Sequence, residues 1–198
     1  MLSIEESIEL LQNTHKIQVQ RNLTRLSFGN YDECRSLLER AFLYCDKSVK
    51  KFDFLPEYEE VVKWLVDNEG KGLLLMGKPG LGKSVIATGV IPAIFHNRLR
   101  KVLKPIPAEE IPLKIETIIK QPFYCLDDIG TESKVNDFGE KYEGFNRIVN
   151  ESETRFKLLI VTTNLNPNQL LDRYGERTMD RLRRLCKLVK LDGESKRW

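Results

Sequence analysis

The chain has 198 residues, a formal net charge of +3, and 41% apolar and 31% charged residues. That length predicts one main domain whose core needs no disulfide or metal staple. The balance excludes a disordered, collagen-like or membrane-bundle chain.

From the N-terminus, MLSIEESIELLQ is acidic and amphipathic, with Ile4, Ile8 and Leu11 on one helical face. A secretory signal would start basic and continue apolar, and no apolar run nears the ~18 residues that span a bilayer. The expected location is therefore the cytoplasm, with no membrane association. Gly29-Asn30 reads as a turn. In residues 34–46, Leu37, Ala41 and Tyr44 form one helical stripe, with Leu38, Phe42 and Cys45 beside it. Residues 1–55 are expected to form a small helical unit. Pro56 is expected to open a helix over 57–68 that Gly70 closes.

From there the pattern changes. GLLLM (72–76), FYCL (123–126) and LLIV (158–161) are short, apolar throughout and bounded by turn signals. Strands buried on both faces of a parallel sheet read this way. Their alternation with helical segments predicts an α/β sandwich. Residues 101–113, with Pro105, Pro107 and Pro112, read as a short strand followed by loop. Cys34, Cys45, Cys125 and Cys186 show no C-x-x-C spacing, and His15 and His96 are the only histidines. The thiols are expected reduced and mostly buried, with no zinc site and no Ser-His-Asp hydrolase.

Residues 77–84 read Gly-Lys-Pro-Gly-Leu-Gly-Lys-Ser and fit G-x-x-x-x-G-K-[ST] at every fixed position. A buried strand precedes the motif and a helical segment (Val85, Ile86, Val90, Ile91) follows. Glycines let the backbone curl so that successive N–H groups meet a phosphate, and the helix N-terminus adds its positive dipole end. The expected phosphate-binding residues are Gly77, Lys78, Pro79, Gly80, Leu81, Gly82, Lys83, Ser84 and Val85. Lys83 would reach the β- and γ-phosphates, and Ser84 would bind Mg²⁺ through its hydroxyl.

Forty residues on, Phe-Tyr-Cys-Leu-Asp-Asp (123–128) ends an apolar strand in two acids. Ligands of open α/β sheets collect at that strand end. Asp127 is expected to hold Mg²⁺ and Asp128 to orient or deprotonate an attacking water. Leu-Leu-Ile-Val-Thr-Thr-Asn (158–164) ends in Asn164. Its local pattern fits either a contact to that water or a turn before Pro167. Residues 172–198 hold nine Lys/Arg against five acids, an excess of four positive charges that leaves the remainder at −1. A basic end fits an anionic partner, phosphate or nucleic acid, or a solvated helix face.

In this order, GKPGLGKS, FYCLDDIG, LLIVTTN, YGERTMDRLRR and LDGESKRW resemble the AAA+ ATPases, and within them the DnaC/DnaI helicase loaders and IstB transposition helpers. The resemblance covers residues 56–198. It implies a P-loop NTPase (AAA+) three-layer sandwich with a five-stranded parallel sheet, hydrolysing ATP with Mg²⁺. It implies Asn164 as sensor I, Arg181 as an arginine finger at a homo-oligomer interface with Arg177 close by, and Arg197 as the sensor II arginine. The implied partners are a DnaB-type replicative helicase, gripped by residues 1–55, and single-stranded DNA, or a transposase for the IstB form. The chain ends at Trp198, so no C-terminal lid is expected. Three features depart from the common pattern. The acid pair is Asp-Asp where most AAA+ proteins have Asp-Glu. Only 38 residues (85–122) separate Ser84 from the acid-tipped strand, and the N-terminal unit is short. A small P-loop kinase and an ATP-binding adaptor without turnover are the other readings of these motifs.

Overall fold

The computed structural model describes residues 2–17, 25–137 and 140–193. Three helices lead in: α1 (Ile4–Asn13), α2 (Tyr31–Cys45) and α3 (Tyr58–Val66). Strand β1 (Gly72–Gly77) follows, then a long helix in three pieces: α4 (Lys83–Val85), a π-turn (Ile86–Val90) and α5 (Ile91–Leu99). Next come β2 (Pro105–Pro107), α6 (Ile111–Ile118), β3 (Phe123–Ile129) and a small antiparallel hairpin, β4 (Val135–Asp137) and β5 (Glu140–Tyr142). The chain continues through α7 (Gly144–Arg155), β6 (Leu158–Thr163), α8 (Pro167–Tyr174), α9 (Glu176–Leu185) and β7 (Cys186–Leu191).

Five strands form a parallel sheet in the order β2-β3-β6-β1-β7. Side chains alternate across a strand, so each apolar run feeds two cores. Leu73, Leu75, Cys125, Leu158 and Ile160 face one layer, with Val61, Trp64, Ile86, Ile94 and Phe95. Leu74, Met76, Tyr124, Leu126, Leu159 and Val161 face the other, with Ile111, Ile115, Phe145, Ile148, Leu170 and Leu182. The sandwich expected from the apolar runs is the one observed. All four cysteines are free; Cys34, Cys125 and Cys186 are buried and Cys45 is exposed.

Several boundaries differ from expectation for local reasons. Pro56 lies in the turn before α3, which starts at Tyr58 and stops at Val66, where Asn68 takes over by bonding the backbone of Leu26 and Lys71. In 101–113 the strand is present, but α6 replaces the expected loop after a 3₁₀ turn. Pro112 sits in the first turn of α6, where its missing N–H costs nothing. Proline acts differently in the long helix. Pro92 cannot donate to Thr88, and the helix widens just ahead of it, with the Ile91 N–H reaching the Ile86 carbonyl.

Helix α2 buries Cys34, Leu38 and Phe42 against α3 and the long helix of the π-turn and α5, while Tyr44 of the neighbouring stripe is exposed. Helix α1 carries a capping box at Ser3 and Glu6 yet buries no side chain. No helix among the described residues is long and apolar enough to cross a membrane.

Candidate nucleotide site

Strand β1 runs out at Gly77, and the next five residues turn the chain through a tight bend into α4. Gly77, Gly80 and Gly82 have φ of 150°, 88° and 82°. At Gly77 the backbone also passes close under β7. A Cβ there would lie 2.1 Å from the Leu191 carbonyl oxygen, so no other residue fits. Alternating left-handed glycines with ordinary residues gathers backbone N–H groups into an anion-binding nest. Leu81 anchors the bend by burying its side chain among the core residues, and the Tyr58 hydroxyl donates to the Leu81 carbonyl at 3.4 Å. Lys83 is only 5% exposed, and its ammonium donates to the Gly77 and Lys78 carbonyls at 2.8 Å each. A cation thus lies against the bend. The Ser84 carbonyl accepts from the Thr88 hydroxyl at 2.7 Å.

The two acids are placed by a flaw in the sheet. Leu126 pairs with Val161 and Ile129 with Thr163, so Asp127 and Asp128 together oppose the single residue Thr162. Such a bulge re-aims side chains, here at the carboxyl end of β3. Asp128 takes a left-handed φ of 61°. Thr162 ties the pair together. Its hydroxyl donates to Asp127 Oδ1 at 2.6 Å and accepts from the Asp128 N–H at 2.7 Å. Asn164 donates its amide to Asp128 Oδ1 at 2.6 Å. Burial, then the neighbouring Asp127 charge, pushes the Asp128 carboxyl above its ordinary value, while Lys83 opposes the rise. Lys83, Asp127, Asp128 and Asn164 therefore meet at one sheet edge. Thr162 escaped the sequence reading. A second hydroxyl in the Thr-Thr-Asn strand end was its only signal.

The arginines lie elsewhere. Helix α9 buries Thr178, Met179 and Leu182 and exposes Arg177, Asp180 and Arg184, while Arg181 is half-buried. Arg181 donates through Nε to Glu153 Oε2 at 2.6 Å, and Arg184 reaches Glu153 Oε1 at 2.9 Å and Asp180 at 3.0 Å. Arg177 is exposed, with no hydrogen-bond or ion-pair partner among the described residues. These arginines share a cleft with Glu153, Thr154 and Phe156, and no residue of 77–84, 127–128 or 164 lines it. Arg197 lies outside the described residues.

No protein-family profile matches the chain, and no curated protein matches it either. Solved structures do. The DnaC helicase loader is 20% identical, with 83% of this chain and 92% of that chain covered at a TM-score of 0.53. DnaI is 20% identical, with 80% and 94% covered at a TM-score of 0.54. AMPPCP-bound DnaA from Aquifex aeolicus is 14% identical, with 71% of this chain and 48% of that chain covered at a TM-score of 0.54. At these identities the likeness is one of fold. The chain has the AAA+ form of the P-loop NTPase fold, with the five-stranded parallel sheet that the motif order implies.

Proposed function

We propose that the chain binds and hydrolyses ATP and acts as a loader for a DnaB-type replicative helicase. The observation that carries this is the convergence of Lys83, the Asp127–Asp128 bulge, Thr162 and Asn164 at the carboxyl edge of a sheet whose fold matches DnaC and DnaI. The residues fit the nucleotide and its metal. The glycine-lined bend leaves no room for side chains at Gly77, and its N–H groups form an anion nest. Ser84 and Asp127 supply the hard oxygen donors that Mg²⁺ prefers. Bound there, Mg²⁺ would neutralise charge on the β- and γ-phosphate oxygens.

Each side chain has a task in turnover. Lys83 exchanges the Gly77 and Lys78 carbonyls for phosphate oxygens. Asp128 takes a proton from a water that attacks the γ-phosphorus, as the bond to the bridging oxygen breaks and its electron pair leaves with ADP. Asn164 fixes the rotamer of Asp128. Thr162 fixes Asp127 and the bulge together. The basic cleft on α9 completes the site of the adjoining copy. Arg177 is already exposed for that role, whereas Arg181 must exchange Glu153 for phosphate. An arginine supplied in this way stabilises the charge spreading over the transferred group and makes turnover depend on assembly.

Size-exclusion chromatography with the replicative helicase of the same host tests the partner. Co-elution in ATP and Mg²⁺, lost in Lys83→Ala, is the expected result. Co-elution with a transposase instead would favour the IstB-like role, and elution apart from both would reject the loader reading.

A further inference from the structure

Glu132 sits four residues beyond Asp128, and its side chain is wholly buried. Burying a carboxylate costs several kcal/mol unless it is paired and hydrogen-bonded. Glu132 is supplied on three sides. The Gly130 N–H donates to Oε2 at 2.8 Å, the Tyr174 hydroxyl donates to Oε1, and Arg173 stands 3.7 Å away. Arg173 does more than neutralise. Its two terminal nitrogens donate to the carbonyls of Gly130 and Glu132, clasping the turn that follows β3.

This cluster joins two places that sequence separates by more than 40 residues. On one side, the turn is closed onto the active acid. The Thr131 N–H and hydroxyl both donate to the Asp128 carbonyl, at 3.3 and 2.9 Å. On the other side, Arg173 and Tyr174 are the last residues of α8, and one glycine later α9 begins with its Arg177 and Arg181. The Tyr174 ring also packs on Phe145 of α7, 4.9 Å between centroids.

Packing alone does not account for the charges. Leu170, Tyr174 and Phe145 already bury this corner with apolar contact, and a buried ion pair adds little stability over an apolar replacement. The network is also incompletely satisfied, since Arg173 Nε and Glu143 Oε2 are buried without a hydrogen bond among the described residues. Arg173 lies 3.7 Å from Glu143 as well as from Glu132. Its guanidinium therefore stands equidistant from two carboxylates while its terminal nitrogens hold the carbonyls of the turn, so one side chain links the turn, α7's entry and α8.

We propose that Arg173 and Glu132 are positioning residues that latch the turn after Asp128 to α8 and α9, so that nucleotide at a chain's own site repositions the arginines it offers to the next copy. This rests on the nucleotide reading above. It adds a direct mechanical route from one site to the next through a single chain.

Hydrogen exchange followed by mass spectrometry tests it on the full chain, with and without ATP and Mg²⁺. In the wild type, peptides covering 77–84 and 176–185 should both slow on adding nucleotide. In Arg173→Gln the first should still slow. The second should lose its response by about fivefold or more, the scale of an ordinary coupling between sites. Glu132→Gln keeps the shape of the buried side chain and should act in the same direction, so it decides the matter if Arg173→Gln fails to fold. A wild-type response at 77–84 without one at 176–185 would overturn the latch and leave nucleotide binding standing. So would variants that keep both responses. No response at 77–84 in the wild type would overturn the nucleotide reading and the latch with it.

Discussion

The carboxyl edge of the sheet and the outer face of α9 solve opposite problems. At the sheet edge, every charged group is held by its own chain: Lys83 by two carbonyls, Asp127 by Thr162, Asp128 by Asn164. The two acids there are held before any ligand arrives, as electrostatic stabilisation of a transition state requires, and in the proposed cycle only Lys83 changes partners. On α9 the charges are unevenly tethered. Arg177 is without a hydrogen-bond or ion-pair partner among the described residues, Arg181 shares Glu153 with Arg184, and Arg184 also pairs with Asp180. In the proposed reading, the difference separates a site that binds nucleotide from a surface that completes the site of an adjoining copy.

The sharpest way to break this comparison is to remove the arginines. Arg177→Ala and Arg181→Ala should leave ATP affinity of the isolated chain unchanged and lower ATP turnover of assembled protein by ~10³-fold or more for whichever arginine reaches the neighbouring phosphate. Full turnover in both variants would confine α9 to a solvated or DNA-facing surface. Steady-state phosphate release at concentrations that permit assembly is the measurement.

The next effect lies at the sheet edge. Asp128→Asn should cut turnover by ~10²–10⁴-fold, the usual contribution of a positioned base, while ATP still binds. The same variant should be more heat-stable at neutral pH. Burial and the Asp127 charge raise the Asp128 carboxyl in the folded chain, so its ionised form opposes folding. That penalty is absent below the unfolded carboxylate pKa of ~3.9 and grows as pH rises through the folded value. The gain in thermal midpoint should therefore shrink as pH is lowered through the carboxylate range. For the same reason, the acid limb of the wild-type rate profile should lie above the ordinary carboxylate value. Asn also accepts the left-handed φ of 61° at this position more readily than most residues.

Much of this was legible from residue order. The apolar runs at 72–76, 123–126 and 158–161 are strands because a strand buried on both faces has no polar residues to interrupt it. Strand β7 was not legible that way. It lies at the sheet edge, so Lys187 and Lys190 interrupt its apolar positions and mask the period. Helix α6 was hidden by Pro112, which punctuates a sequence yet is harmless in a first turn. The P-loop and the paired acids were visible because their spacing is local, whereas the local pattern at Asn164 fitted a turn equally well and only the family resemblance singled it out. Thr162, Glu132 and Arg173 act across strands and across about 40 residues, and no local period announces such partners.

The proposed activity depends on a nucleoside triphosphate binding where Gly77 to Ser84 bend around the end of β1. Isothermal titration of ATP with Mg²⁺ into wild-type protein and Lys83→Ala tests it most directly. A saturable heat of one equivalent per chain in the wild type, lost or weakened at least tenfold in Lys83→Ala, is the predicted result. No heat in the wild type, or equal heats in both proteins, would contradict the account.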